Sequence, residues 1–306
     1  MVSTRKKPGT LYFTDVARLS VGAVVLTGNY YSLEDNSEER IALLSLTSGR
    51  WGGMDLSGIA HAVRCRGKLD DCQREYLILE RNRGLYTVTP PSNVQFERID
   101  THRRGFLMDL RYIGGAWYAV GGNHQIYRQD GSGWRPFDYG VYIPGSDGEA
   151  KILLSVDGTA SDDIYAVGMN GVVLHYDGIS WKRIDAPTNC GLQRVLCVDR
   201  NEIYVCGYGN CVYRVEGGIW HNLINEPSET VYWDMALFRG NIFVCTKDTL
   251  FRVRGDALEE VNIPVEGRLN FYRMASDGNE LWTCGGECLL RFDGSQWERY
   301  QFPDNL

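Results

Sequence analysis

Residues 161–185 read SDDIYAVGMNGVVLHYDGISWKRID. Ile164 to Val167 is a short β-branched and aromatic run, Gly168 and Gly171 break it, and Val172 to Tyr176 is a second such run. Asp177-Gly178 then makes a tight turn, and Trp181 heads a third run. This is the signature of antiparallel strands joined by short hairpins. A unit of this size cannot bury both of its faces, so it demands copies of itself on either side.

The copies are found by following the tryptophan. Trp51, Trp134, Trp181, Trp220 and Trp297 occupy one slot, with Phe96 and Leu258 filling it in VQFERID and DALEEVNI. Successive spacings are 45, 38, 47, 39, 38 and 39 residues, the length of a four-stranded blade. Before each marker lies a strand: Val24 to Thr27, Tyr76 to Leu79, Trp117 to Val120, Ile164 to Val167, Ile203 to Cys206, Ile242 to Cys245 and Leu281 to Cys284. An inner strand precedes these, as in Ile152 to Val156, Arg194 to Val198, Trp233 to Leu237 and Tyr272 to Ala275. Seven copies predict an all-β protein, a single seven-bladed β-propeller of four-stranded antiparallel blades over residues 11–306 with a 1–10 extension. Six blades are the alternative, with Val16 to Trp51 as an appendage. Asp130-Gly131, Asp177-Gly178, Glu216-Gly217 and Asp293-Gly294 turn the third strand into the fourth. The glycines that end the second strand, Gly28, Gly121, Gly168, Gly207 and Gly285, are expected to supply backbone freedom for a further turn. The aromatic marker is expected to pack between blades.

Composition narrows the function. The 306 residues are 43% hydrophobic, with 35 Gly and 18 Tyr, which suits strands and turns around a real core. The net charge of -7 supplies no basic stripe for nucleic acid, whose binding is dominated by phosphate neutralisation. No run of about 18 apolar residues suggests a membrane span. MVSTRKKPGTLYF has no apolar core of a secretory leader, so a cytoplasmic location is expected. Nine cysteines (65, 72, 190, 197, 206, 211, 245, 284, 288) read as free thiols.

The run IYAVGMNGVVLHYDGISW resembles the DIYAVG…HYDG..W repeats of bacterial β-propeller proteins, the broad class related to kelch and Asp-box propellers, over residues from about 11 to 303. Asp and Gly are adjacent here, unlike the S-x-D-x-G-x-x-W of Asp boxes, and only Gly121-Gly122 and Gly285-Gly286 give the paired glycines of kelch. WD signatures are absent. The resemblance implies a bacterial propeller without naming its task.

Three clusters could carry chemistry. Cys206 and Cys211, and Cys284 and Cys288, straddle hairpins, but Cys206, Cys245 and Cys284 share the register of Val120 and Val167, which predicts core packing; no metal and no cofactor are expected. Arg128, His175, Arg214, Arg252 and Arg291 share one position on the third strand, which reads as stems covering the blade surface ahead of an anion-binding ring. Asp15, Asp109 and Asp234 on inner strands, with Tyr232, Tyr272 and Arg273 nearby, would suit a glycan-binding or glycoside-processing site at the central channel.

The blades depart from their own rule in two long loops, Asn29 to Arg40 and Asp138 to Lys151. The first joins a second strand to a third, the second joins a fourth strand to the next inner one. Both connections emerge on one propeller face. That face is rich in anchoring aromatics and in carboxylates: Tyr30, Tyr31, Glu34, Asp35, Glu38, Glu39, Arg103, Tyr139, Tyr142, Asp147, Glu149, Glu226, Glu229, Tyr232, Trp233 and Tyr272. The reading is a non-catalytic binding module for a protein with a basic surface, in its most concrete form an immunity protein that covers a bacterial toxin. A small ligand or glycan at the channel and a scaffold subunit of a larger complex are the alternatives. The other insertion, Gly67 to Glu75, falls on the opposite face.

Overall fold

The computed structural model describes residues 10–31, 40–66, 75–89, 93–100, 105–131, 133–144, 151–209, 211–224 and 229–303. They form seven separate four-stranded antiparallel sheets, each from consecutive strands. Blade 1 is β1 (Thr10–Ser20), β2 (Ala23–Tyr31), β3 (Arg40–Thr47) and β4 (Arg50–Ser57). Blade 2 is β5 (Ala60–Arg66), β6 (Glu75–Glu80), β7 (Gly84–Thr89) and β8 (Asn93–Arg98); blade 3 is β9 (Leu107–Ile113), β10 (Ala116–Gly121), β11 (Ile126–Asp130) and β12 (Gly133–Pro136). Blade 4 comprises β13 (Leu153–Ala160), β14 (Asp163–Gly168), β15 (Val173–Tyr176) and β16 (Trp181–Ile184), and blade 5 β17 (Leu192–Cys197), β18 (Glu202–Gly207), β19 (Val212–Glu216) and β20 (Ile219–Asn222). Blade 6 runs through β21 (Asp234–Phe238), β22 (Asn241–Cys245), β23 (Leu250–Arg254) and β24 (Ala257–Glu260), and blade 7 through β25 (Arg273–Ser276), β26 (Leu281–Gly285), β27 (Cys288–Phe292) and β28 (Trp297–Tyr300). The six-blade alternative is therefore wrong: Val16 to Trp51 belongs to a full blade, with the longest strands of all.

Each blade is one twisted sheet with two apolar faces, so the core is divided among the blade interfaces. Leu11, Leu26, Leu46, Trp282 and Leu289 pack blade 1 on blade 7, and corresponding clusters fill the other interfaces. The marker residue packs on the preceding blade as expected: Trp134 on blade 2, Trp181 on blade 3, Trp220 on blade 4, Leu258 on blade 5, Trp297 on blade 6 and Trp51 on blade 7. Trp181 also donates its indole N–H to the Phe137 carbonyl of blade 3 at 2.7 Å. Phe96 departs from the rule, being about half exposed and leaning on Tyr86 of its own blade at 4.7 Å.

The glycines closing the second strands do a different job from the one expected. None of the five has a positive φ. A Cβ on Gly121, Gly168 or Gly207 would instead lie 2.1, 2.0 or 2.0 Å from the carbonyl oxygen of Phe106, Ile152 or Gly191. The inner strand crosses the end of the second strand too closely for any side chain. Freedom at positive φ is used elsewhere, at Gly178 and Gly294 in the Asp-Gly turns.

Among the described residues, the ring closes without a shared strand. Phe13 donates its N–H to the Gly286 carbonyl at 2.7 Å, and Glu280 of blade 7, 2% exposed, accepts the Gly22 N–H of blade 1, the Trp282 indole N–H and the Arg291 guanidinium. Arg18 of blade 1 pairs with Asp277 and Glu280 across the same seam.

Candidate binding face and central channel

Strand register assigns the faces. Thr10 pairs with Tyr31, and Ser20 with Ala23, so inner strands start where second strands end. Second-to-third and fourth-to-inner connections therefore share one face, the loop face, and the tight turns occupy the other.

The channel acids are structural staples. An inner strand has no further strand on its axial side, so its N–H groups need other acceptors. Asp15 accepts the N–H of Val63, Asp109 that of Val156, and Asp234 that of Met274, at 2.9, 3.2 and 2.9 Å. Each thereby ties its blade to the next, and the Ser155 hydroxyl receives the Val195 N–H in the same way at 3.4 Å. Arg64 bridges Asp15 and Asp109, both at 2.6 Å, and Arg194 bridges Asp109 at 3.0 Å and Asp234 at 2.5 Å. Burial alone would raise the Asp109 carboxyl, but Arg64, Arg194 and Arg111 together bring it down to about 2. Asp234 is likewise lowered, burial being outweighed chiefly by Arg194. A glycosidase acid must hold its proton near neutral pH; Asp109 and Asp234 are held ionised. Arg273 spends one guanidinium nitrogen on the Tyr272 carbonyl at 3.0 Å. Beside this girdle a cavity of about 690 Å³ opens among Arg18, Arg111, Leu237 and Asp277, at the turn face, away from the long loops.

The cation series on the third strands is spent locally. Arg128 lies over the Tyr118 and Phe137 rings, His175 meets Asp163 at 2.8 Å, Arg214 meets Asp256 at 2.7 Å, Arg252 meets Glu259 at 2.8 Å, and Arg291 joins Glu280 to Glu298. Cys206, Cys245, Cys284 and Cys288 sit in the apolar clusters with at most 1% exposure.

On the loop face the structure joins some of the expected residues and separates others. Trp233 packs edge-on against Tyr272 at 5.3 Å and against Tyr208 at 6.5 Å. These three come from blades 5, 6 and 7, positioned by backbone bonds from Tyr208 N–H to Gly191, Trp233 N–H to Cys245 and Tyr272 N–H to Cys284. Tyr12 of blade 1 continues the arc: a Cβ on Gly286, in the turn beside Tyr272, would come within 3.7 Å of its ring. Tyr12 and Tyr208 are each 38% exposed, while Trp233 and Tyr272 are half-buried. Tyr232 points the other way, 6% exposed in the core between blades 5 and 6 near Phe251, so it has no free face to offer. Tyr30 is half-buried against the blade 1 and 7 core, Tyr139 is 76% exposed, Tyr142 half-buried and Glu229 exposed. Glu34, Asp35, Glu38, Glu39, Arg103, Asp147, Glu149 and Glu226, and the side chain of Tyr31, lie outside the described residues.

Tyr139 and Tyr142 ride on a loop pinned to blade 3. Tyr142 and Val141 donate their N–H groups to the Asp138 carbonyl, Ile143 to Asn123, and His124 to Lys151. Asn123 and His124 both sit in the left-handed region, φ 57° and 55°, a costly conformation for residues with side chains. Burial pushes the His124 imidazole below its ordinary range, so it is neutral at neutral pH. Tyr12 and Tyr208 escaped the sequence reading. Tyr208 had a usable signal, since it directly follows Gly207, at the point where every second strand leaves its sheet toward the loop face.

No protein-family model matches the chain. It is 28% identical over 197 residues to the immune protein Tsi7 of Pseudomonas aeruginosa, a match spanning 64% of this chain and 64% of that protein. Among solved structures, the WD40 β-propeller domain of Doa1 superposes with a TM-score of 0.68 at 11% identity, covering 93% of each chain. YCF48 bound to D1 peptide gives 0.66 at 15% identity, covering 94% of this chain and 93% of its own. Identities this low speak for the seven-bladed fold alone.

Proposed function

We propose that this chain is a non-catalytic propeller that binds and neutralises a cognate bacterial toxin on its loop face. The observation that carries the proposal is the likeness to the immune protein Tsi7. The aromatic arc Tyr12–Tyr272–Trp233–Tyr208 is the anchor, since rigid aromatic rings dominate the centres of protein interfaces. The partner carries a basic surface: the chain's net charge is -7, and the loops of residues 29–40 and 138–151 hold Glu34, Asp35, Glu38, Glu39, Asp147 and Glu149 in sequence. The repeats are read as the bacterial DIYAVG…HYDG..W type. Catalysis at the channel is disfavoured because Asp15, Asp109 and Asp234 are committed to the N–H groups of neighbouring blades.

Co-expression tests this. The toxin is sought among the products of adjoining genes. Growth of cells making that toxin is expected to be restored by this chain and not by its Trp233→Ala/Tyr272→Ala variant. Loss of growth regardless of the chain, for every adjoining gene product that is toxic, contradicts the proposal.

A further inference from the structure

Cys190 lies in the segment joining β16 to β17, and Cys211 immediately precedes β19, so two connections of the loop face bring two cysteines together. Thr188 links them: its hydroxyl accepts the Cys190 N–H at 3.1 Å and meets Cys211 Sγ at 3.0 Å. One hydroxyl oxygen thus stands within 3.1 Å of the Cys190 backbone nitrogen and 3.0 Å of the Cys211 sulfur, which places the two residues side by side. Both backbones are fixed, the Cys190 carbonyl accepting the Gly171 N–H and the Cys211 carbonyl the Gly207 N–H, each at 2.8 Å. Their exposure differs. Cys211 is 1% exposed in the blade 4 and 5 core, whereas Cys190 is half-buried at its edge.

We propose that Cys190 and Cys211 are a peroxide-oxidisable dithiol that closes to a disulfide, tying the connection between blades 4 and 5 to the loop beside Tyr208. The reaction begins at Cys190, the member that solvent reaches; burial pushes the Cys211 thiol up to about 11, so it is protonated at neutral pH. The Cys190 thiol gives up its proton and its sulfur attacks hydrogen peroxide; the O–O bond breaks, the departing hydroxide takes up that proton, and a sulfenic acid and one water result. Cys211 sulfur then attacks Cys190 sulfur, its proton leaving with the hydroxyl group as a second water. Two thiols are oxidised by two electrons and one peroxide is reduced to two waters. Cys206, Cys245, Cys284 and Cys288, at most 1% exposed, have no comparable entry for oxidant. The proposal concerns the isolated chain and stands or falls separately from the toxin reading.

The test treats the folded full chain with hydrogen peroxide, alkylates the remaining thiols after denaturation, and maps unreduced peptides by mass spectrometry. A peptide linking Cys190 to Cys211 is expected, with the count of free thiols falling by two from nine and restored by dithiothreitol. In Cys211→Ser, dimedone is expected to trap Cys190 as the sulfenic acid. A wild-type chain in which Cys190 runs on to sulfinic acid without the linked peptide, stays reduced while other cysteines oxidise, or pairs with a different cysteine overturns the proposal.

Discussion

Glu280 accepts the Gly22 N–H on both of its carboxylate oxygens, at 3.0 and 2.9 Å, and so joins the last blade to the first. Many-bladed rings must resist opening at the seam where the chain's ends meet. Here the seam is held by the Glu280 and Asp277 carboxylates, the Gly286 carbonyl and packed side chains, with no interleaved strand among the described residues.

Replacing Glu280 by Ala should therefore destabilise the fold well beyond an ordinary surface substitution. Removing one member of a buried ion pair costs about 3–5 kcal/mol, because the partner's charge is left uncompensated; Arg18 and Arg291 are those partners. Urea unfolding is the measurement, and a midpoint unchanged from wild type would refute the latch.

Acid should attack the axis of the propeller. The Asp109 carboxyl is lowered in the fold from 3.8 to about 2. A carboxyl with a depressed folded value contributes stability that is fully present above its unfolded value and is lost as pH falls through the folded one. The window is thus about pH 4 to pH 2, and Asp109 contributes roughly 2 kcal/mol across it. Unfolding free energy measured through that window should drop more steeply for the wild type than for Asp109→Asn, which is weaker at neutral pH but has no charge to lose.

A methyl group at the end of a second strand should be costly. Gly207→Ala places a Cβ against the Gly191 carbonyl and is expected to destabilise by about 1–3 kcal/mol. Gly131→Ala, where a Cβ meets nothing within 4 Å, should change stability by less than about 0.5 kcal/mol. Equal effects at the two positions would remove the close-approach explanation.

Binding and stability should separate on the loop face. Trp233→Ala and Tyr272→Ala should each weaken toxin binding by about 2 kcal/mol or more, some thirtyfold. Tyr232→Phe, in the core, should leave affinity untouched. Calorimetric titration of each variant distinguishes them, and a Tyr232 effect matching Trp233 would mean that the arc has been misplaced.

Blades 4, 5 and 7 were open to reading because Trp181 and Trp220 stand 39 residues apart and Trp297 follows two repeats later, at 77, with a turn dipeptide ahead of each. The face of each loop followed from strand order alone. What local pattern could not carry was contact between blades. Asp15, Asp109 and Asp234 stood out as inner-strand carboxylates, yet their acceptor role depends on an N–H 48, 47 and 40 residues away, one blade on. Tyr232 and Trp233 are adjacent in sequence and point oppositely, so one residue of register decides between core and surface. The glycines after the second strands have a steric cause that exists only once two strands cross.

Mixing the purified chain with the purified toxin, and following complex formation and residual toxin activity together, is the decisive measurement. Toxin neutralisation by the loop face requires a one-to-one complex in which activity is abolished, and at least tenfold weaker binding when Glu34, Asp35, Glu38 and Glu39 are changed to Lys. A toxin that stays fully active at saturating chain, or a complex indifferent both to that charge reversal and to Trp233→Ala/Tyr272→Ala, would contradict it.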